Sequence, residues 1–439
     1  MAQSTGQGQS WGVRLAVFLA AISASLLLFL GLAWYLASSE ANAQLALLRQ
    51  QGMPTNGSEL KEFNKIPAGT PDATEAWTQA IEAVDATDLY KRGQALPIVG
   101  TVMTIIPPPG TDWAELNASR AFLEELGQEL ELIRQAAQTP GEARFPRDDN
   151  AGVDIMVPSI QAVRGAAQLL LLDAHVQAHA ENGGLALQDL SHIFAISDAL
   201  EREPCVVGQF VRIAIFSIGC SGVTELLNHC QWSDAELATL QSAVASADFK
   251  AGMQTAMIGE RVLGLDIISN LPLGPLVSTN QSEILRIFKA SIESYSLPWP
   301  VLLQRQDELE QENARMSVKP LSSILRSLAP LVSVTQRQTA TATARAVVRQ
   351  RATILAIAAQ RYQLQHGKCP ESLADIPTAL LPPGQADELR TDPFNGLPLH
   401  LKLDGTRLVI YSVGEDKQDD GGEVLDGKDA TDIGVRLQP

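Results

Sequence analysis

The sequence predicts a mainly α-helical protein with an N-terminal transmembrane helix, an α-helical bundle or short solenoid, and a C-terminal α+β region. Three observations support this fold class. Residues 15–37 carry no charge, apolar residues recur at helical spacing through most of 70–366, and the apolar period changes to two after residue 396. The chain therefore divides into a cytoplasmic stub and anchor, a linker, a helical domain and an α+β domain, at 1–40, 41–69, 70–330 and 331–439.

The N-terminal run is long enough to cross a bilayer, since residues 15–37 would extend about 35 Å as a helix. Arg14 before the run and Glu40 after it favour an N-terminus in the cytoplasm. The body would then lie in the periplasm, with one pass through the bacterial inner membrane. A cleaved signal peptide is the alternative, because Ala41-Asn42-Ala43 fits a small-x-small cleavage site. Aromatic rings that prefer the membrane interface stand at both ends of the run: Trp11, Trp34 and Tyr35.

Residues 70–330 are typical of a series of helices joined by short turns. ENGG at 181–184 marks a turn between two of them. Ser233 and Glu236 form the pattern of a capping box, which predicts a helix start. Thr70-Pro71 predicts the start of the first helix, since proline is favoured at the first helical position.

One helix of this series contains a charge among apolar residues. Residues 205–230 are apolar nearly all round, which is typical of a central helix in a bundle. Arg212 lies inside this helix, and a buried guanidinium requires a partner. We predict a structural ion pair, with a ligand-binding arginine as the alternative. The candidate partners are Glu203, Glu225 and Glu260.

Histidines and cysteines give two weaker patterns. His175 and His179 lie one helical turn apart and resemble part of a zinc site, with His192 as a third ligand, but we favour the interpretation of a polar helix face. Cys220 and Cys230 could form a disulfide in an oxidising compartment, or serve as buried apolar residues. The disulfide pairing within the set Cys205, Cys220 and Cys230 stays open.

Charge and motifs restrict the function. The formal net charge is −17, with 33 lysines and arginines against 50 aspartates and glutamates. Such a chain is not expected to bind nucleic acid, which is bound through neutralised phosphates. The sequence contains no GxSxG, phosphate loop or dinucleotide fingerprint. We therefore predict no catalytic residues and no enzyme activity.

The C-terminal region combines a long helix with a small antiparallel sheet. Residues 331–366 read as one helix that ends near Gly367. LPLHLKL and TRLVIYSV then alternate apolar and polar residues, as half-buried strands do. Asp404-Gly405 between them is a strong hairpin turn.

A set of short motifs follows in a fixed order along this region: Tyr362, Gly367, Pro370-Glu371-Ser372-Leu373, Asp392-Pro393-Phe394, Gly396-Leu397-Pro398, Tyr411-Ser412-Val413-Gly414-Glu415-Asp416 and Asp432-Ile433-Gly434. In order and spacing they resemble the soluble domain of the major pseudopilin of type II secretion systems. The resemblance covers about residues 345–434 and implies a pilin-like fold there. The chain departs from that family in having Cys369 where the family has tyrosine, and in lacking the processing site before the apolar helix.

The resemblance implies a calcium ion in the acidic loop near the C-terminus, with Asp416 and Asp432 as the best ligands. Calcium prefers six to eight oxygen ligands and accepts irregular geometry, which this segment can offer. The alternative is a solvated acidic segment without a metal. The further oxygen donors that we consider are Ser412, Asp419, Asp420, Asp426 and Asp429.

These observations lead to two hypotheses about function. The first is a membrane-anchored extracytoplasmic binding or scaffold protein with a pseudopilin-like C-terminal domain, connected with secretion or the cell envelope. Its protein partners cannot be named from the sequence. The alternative is an envelope enzyme with an unrecognised site in the helical domain.

Overall fold

A computed structural model of the chain describes residues 6–100, 106–145, 160–272, 276–317, 336–404, 407–424 and 432–437. Helices dominate, and a small antiparallel sheet lies near the C-terminus. This confirms the coarse prediction of a mainly α-helical protein with a C-terminal α+β region.

The described helices are α1 (Gly6–Gln50), α2 (Gly57–Phe63), α3 (Thr74–Asp85), α4 (Leu89–Arg92), α5 (Leu116–Glu125), α6 (Gly127–Gln138), α7 (Ile160–His179), α8 (Gly183–Ala199), α9 (Val206–Leu226), α10 (Asp234–Ala245), α11 (Phe249–Asn270), α12 (Leu276–Ser294), α13 (Trp299–Ser317), α14 (Gln336–His366) and α15 (Ala386–Leu389). Two 3₁₀ turns lie between α14 and α15, at Leu373–Asp375 and Thr378–Leu380. The strands are β1 (His400–Asp404), β2 (Arg407–Ser412) and β3 (Ile433–Arg436).

The sheet has the order β1-β2-β3, and both pairs are antiparallel. The first two strands are the predicted hairpin, whose turn residues 405–406 lie outside the described residues. The third strand was not predicted as a strand. It requires Gly434, because a Cβ there would lie 2.1 Å from the carbonyl oxygen of Ile410 on β2.

The chain forms two compact units. Unit 1 comprises Met1–Phe63, Arg261–Ala290 and Gln311–Ser333, and unit 2 comprises Asn64–Glu260, Ser291–Glu310 and Val334–Pro439. In unit 2, α7 packs against α8 and α9, while α14 packs against α9, α10, β2 and β3. The most apolar helix of the sequence, α9, is thus a central helix of this unit, as predicted.

The long helix α14 is buried on every side near its middle. Every residue from Arg351 to Ala359 is buried, although the ends of the helix carry exposed positions. Gln350 donates hydrogen bonds to the carbonyls of Val244 and Ala247, and Gln241 donates to the carbonyl of Ile354. The division into 70–330 and 331–439 therefore needs correction, because helices of the first segment and the sheet of the second share one core through α14.

Residues 41–69, predicted as a linker, also differ from that prediction. Residues 41–50 continue α1, and Gly57–Phe63 form α2. Asn56 accepts a hydrogen bond from the backbone N–H of Glu59, whose carboxylate accepts from the backbone and hydroxyl of Thr55. These reciprocal hydrogen bonds satisfy the open N–H groups at the start of α2, so a short polar segment becomes helical.

Helix α1 carries a series of exposed apolar side chains between Trp11 and Leu36. Trp34, Tyr35 and Leu36 are consecutive and all exposed, and neighbours on a helix point about 100° apart. In the described part of the chain, one helix is long and apolar enough to cross a membrane, Val206–Leu226, and it is mostly buried in unit 2. Only a shorter apolar stretch, Val13–Leu26, is found in α1, so the N-terminal anchor stays a prediction.

Candidate functional site

The acidic loop between β2 and β3 is the site that the sequence singles out. Its described part runs from Val413 to Val424, and Asp426 and Asp429 lie outside the described residues. Asp432, just before β3, is also described. Of the predicted ligands, Asp419, Asp420 and Asp432 lie near one another, whereas Ser412 and Asp416 each have separate surroundings.

Ser412 contacts both the Asp-Pro-Phe segment and the start of the acidic loop, where its hydroxyl accepts a hydrogen bond of 3.0 Å from the backbone N–H of Gly414. Its hydroxyl donates a hydrogen bond of 2.8 Å to Asp392, which is completely buried. The same carboxylate accepts from the backbone N–H groups of Val413 and Phe394. Ser412 thus ties β2 to the preceding loop.

Asp416 is exposed in a separate turn. Its Oδ1 accepts a hydrogen bond of 3.0 Å from the backbone N–H of Gln418. The neighbouring Glu415 pairs with Arg345 of α14. The structure therefore shows Asp416 in a turn-forming role, and its function as a calcium ligand stays a prediction.

Asp419 and Asp432 each accept a hydrogen bond from the backbone of the turn at Gly421-Gly422. Asp419 accepts hydrogen bonds of 3.0 Å from the Tyr411 hydroxyl and 2.9 Å from the backbone N–H of Gly421. Asp432 accepts a hydrogen bond of 2.8 Å from the backbone N–H of Gly422. The bond from Gly421 lowers the pKa of Asp419, so this carboxylate is ionised at neutral pH.

Asp432 carries an oxygen atom that hydrogen bonding leaves open. The residue is only 1% exposed, and its Oδ1 is buried without a hydrogen-bond partner in the described part of the chain. Burial, together with the carboxylates of Asp419 and Asp420, raises the pKa of Asp432. A cation near these groups would offset both the burial and the repulsion.

The chemistry of these donors fits a hard divalent cation, because carboxylate oxygens are the ligands that calcium prefers. Asp432, Asp419 and Asp420 would hold it. Among the residues described, however, no group of three or more histidine, cysteine, aspartate or glutamate side chains is arranged to hold a metal ion. Calcium binding thus stays a prediction.

Neither a protein-family model, nor a curated protein, nor a solved structure matches this chain. The resemblance of residues 345–434 to the major pseudopilin therefore stays a prediction from the sequence motifs.

The helical part of unit 2 contains a buried ionic triad that sequence reasoning missed. Arg134 of α6 donates two hydrogen bonds of 2.9 Å to Asp189 of α8 and also pairs with Asp173 of α7. Asp189 and Asp173 are 1% and 5% exposed. Burial raises the pKa of Asp189 to about 7, against the opposing effect of Arg134. The guanidinium of Arg134 thus pairs with two carboxylates. In the sequence, the single aspartate within the apolar run LLLLDAHV, Asp173, was the feature that indicated a buried ion pair.

The three histidines of the zinc hypothesis have separate partners. His175 Nε2 lies 2.9 Å from Glu225, and His179 Nε2 lies 3.0 Å from the carbonyl oxygen of Pro107. His192 lies beside Asp189, with Nδ1 4.0 Å from its Oδ1. Burial lowers the pKa of both His179 and His192, so these rings are neutral in the structure at neutral pH. Their surroundings support the interpretation of a polar helix face.

Arg212 forms the predicted ion pair, but with other partners. Its guanidinium is completely buried and lies 3.3 Å from Glu201 and 3.9 Å from Asp198. It also donates to the carbonyl oxygen of Asp248 and lies over the ring of Phe249. Two of the predicted partners have other contacts: Glu260 accepts from the backbone N–H of Val206 at the start of α9, and Glu225 contacts His175.

The cysteines are free thiols in the structure. Burial raises the pKa of Cys220 to about 12 and that of Cys230 to about 11. Both therefore stay protonated at neutral pH and behave as small apolar residues, because the thiolate is the reactive form.

Proposed function

We propose that this chain is a membrane-anchored extracytoplasmic binding or scaffold protein with a pseudopilin-like C-terminal region that binds a divalent cation. The observation that carries the proposal is the exposed apolar surface of α1, from Trp11 to Leu36. Apolar area costs about 25 cal/mol per Å² in water, and this stretch of the helix exposes many apolar side chains. A lipid environment would remove that cost.

The packing of α14 supports a fixed scaffold role over assembly into a filament. A polymerising subunit needs a free helix face for its neighbours in the filament. Here residues 351–359 are buried on all sides by parts of the same chain. The pseudopilin-like region is therefore packed into a larger helical unit as one of its parts.

The ionisable groups of the helical part support binding over catalysis. Arg212, His175 and Arg134 each contact a carboxylate of the same unit. Ion pairs of this kind stabilise the fold, and we assign these groups that structural role.

We expect the full-length chain to fractionate with membranes and to resist extraction by alkaline carbonate. A variant that begins at Ser38 should be recovered in the soluble fraction, because it lacks the apolar run. The control is Leu47→Arg, which adds a charge to an exposed position of α1 beyond the run and should leave the chain in the membrane. A soluble product whose N-terminus lies near Gln44, obtained on expression of the full-length sequence, would instead identify a cleaved signal peptide.

Calcium is expected to raise the melting temperature of the full-length chain in detergent, relative to a chelator. At a hundredfold excess over the Kd, the stabilisation is about 2.7 kcal/mol. Asp432→Asn should remove most of this gain while keeping an acceptor for Gly422. Glu371→Gln, an exposed acid of the same region, should retain it. Identical melting curves with calcium and chelator would contradict the cation site.

A further inference from the structure

A row of side chains crosses the C-terminal sheet beneath the acidic loop. Lys402 of β1 pairs in register with Val409 of β2, which pairs with Arg436 of β3. Residues opposite each other on neighbouring strands share one face of the sheet. Two cations therefore flank one valine, and all three line a cleft of about 260 Å³.

Both cations donate hydrogen bonds to the diglycine turn of the loop. Lys402 Nζ lies 2.8 Å from the carbonyl oxygen of Gly421, and Arg436 lies 3.1 Å from that of Gly422. The N–H groups of the same glycines are bound by Asp419 and Asp432. All four backbone groups of the turn thus have side-chain partners.

The turn is specific to glycine. Gly421 and Gly422 have φ angles of +79° and +80°, a region that other residues enter at a steric cost. A Cβ on Gly422 would also lie 2.9 Å from the ring of Tyr411. The loop is therefore shaped for close approach to the sheet, which brings its carbonyls within reach of the two cations.

The charges in the cleft balance without a metal. Asp420 and Glu423 line it together with Lys402 and Arg436, so two carboxylates face two cations. Asp432 contacts the same turn, because its Oδ2 accepts the hydrogen bond from the Gly422 N–H while its Oδ1 has no partner among the described residues. A divalent cation that enters here meets two positive side chains already bound to the turn.

We infer that Lys402 and Arg436 are built-in counter-ions of the acidic loop, which hold the diglycine turn without a metal and weaken its binding of a divalent cation. The second part of this inference, the weakened binding of a divalent cation, rests on the proposed cation site. The first part, the holding of the turn, does not. Coulomb repulsion between a side-chain cation and a doubly charged ion in the same cleft is partly screened by salt, and removing either charge should tighten binding by about tenfold.

The test is calorimetric titration of the full-length chain in detergent with calcium chloride. Lys402→Met and Arg436→Met remove one charge each and keep much of the side-chain volume. Lys91→Met, at an exposed position of α4, is the control. Limited proteolysis in the presence of chelator tests the first half of the inference, that Lys402 and Arg436 hold the diglycine turn without a metal. If they do, a protease should cut the loop faster in the two variants than in the wild-type chain.

Both halves are supported if Lys402→Met and Arg436→Met bind calcium about tenfold more tightly and lose protease resistance, while Lys91→Met behaves as wild type. Calcium affinity equal to that of the wild-type chain would overturn the competition and leave the cation site standing. If no chain binds calcium, the cation site and the competition both fail. Unchanged proteolysis in chelator would overturn the counter-ion role itself.

Discussion

Arg212→Ala is expected to lower the free energy of unfolding by about 3–5 kcal/mol. Arg212 is completely buried and faces Glu201 and Asp198. The substitution leaves Asp198 without its cation in a site where burial already raises the pKa of that carboxyl to about 6. It also removes the donor to the Asp248 carbonyl and opens a cavity beside Phe249.

Chemical denaturation of the detergent-solubilised chain, followed by tryptophan fluorescence, measures this loss. Arg202→Ala is the matched control, since Arg202 lies on the surface nearby in the sequence and its removal should change stability by about 0.5 kcal/mol or less. Arg212→Met separates the two contributions, because it restores volume but not charge. A loss near zero for Arg212→Ala would show that the ion pair does not stabilise unit 2.

Ile357→Ala is expected to cost about 2–5 kcal/mol and to loosen the sheet and the helical part together. Ile357 is completely buried in α14. It lies on the same helix face as Gln350 and Arg361, which bind α10 through Val244 and Asp234. Because α14 also packs on β2 and β3, a defect in its core should reach both sides.

Hydrogen exchange of the full-length chain distinguishes one core from two. In Ile357→Ala, amides of β2 and of α10 should lose protection by similar factors, as parts of one cooperative unit do. Leu364→Ala, at a half-exposed position of the same helix, should leave both protected. Protection lost in α10 but kept in β2 would show that the C-terminal region folds as a separate domain.

Local features of the fold could be predicted from the sequence. The turn at 181–184 separates α7 from α8, and Ser233 and Glu236 form the expected capping box of α10. Both depend on residues within a few positions of one another. Thr70-Pro71 failed as a helix start, because Glu142 binds the Pro71 carbonyl and α3 begins only at Thr74.

The partners of buried charges could not be predicted, since they come from distant parts of the chain. Arg134 meets Asp189 from a helix 55 positions away, and no local pattern links them. In the acidic loop the sequence identified the carboxylates but not their roles. Asp416 and Asp432 look equivalent in the sequence, yet one caps an exposed turn and the other is buried against Gly422.

The burial of α14 has a consequence for how the protein is made. The helix is synthesised after α9 and α10, and its contact with α10 joins Gln241 to Ile354, 113 residues later in the chain. Until α14 leaves the ribosome, the apolar sides of α9 and α10 that it covers remain open to solvent and to chaperones. A chain truncated before residue 336 would keep that surface exposed, so the last quarter of translation determines whether unit 2 escapes degradation.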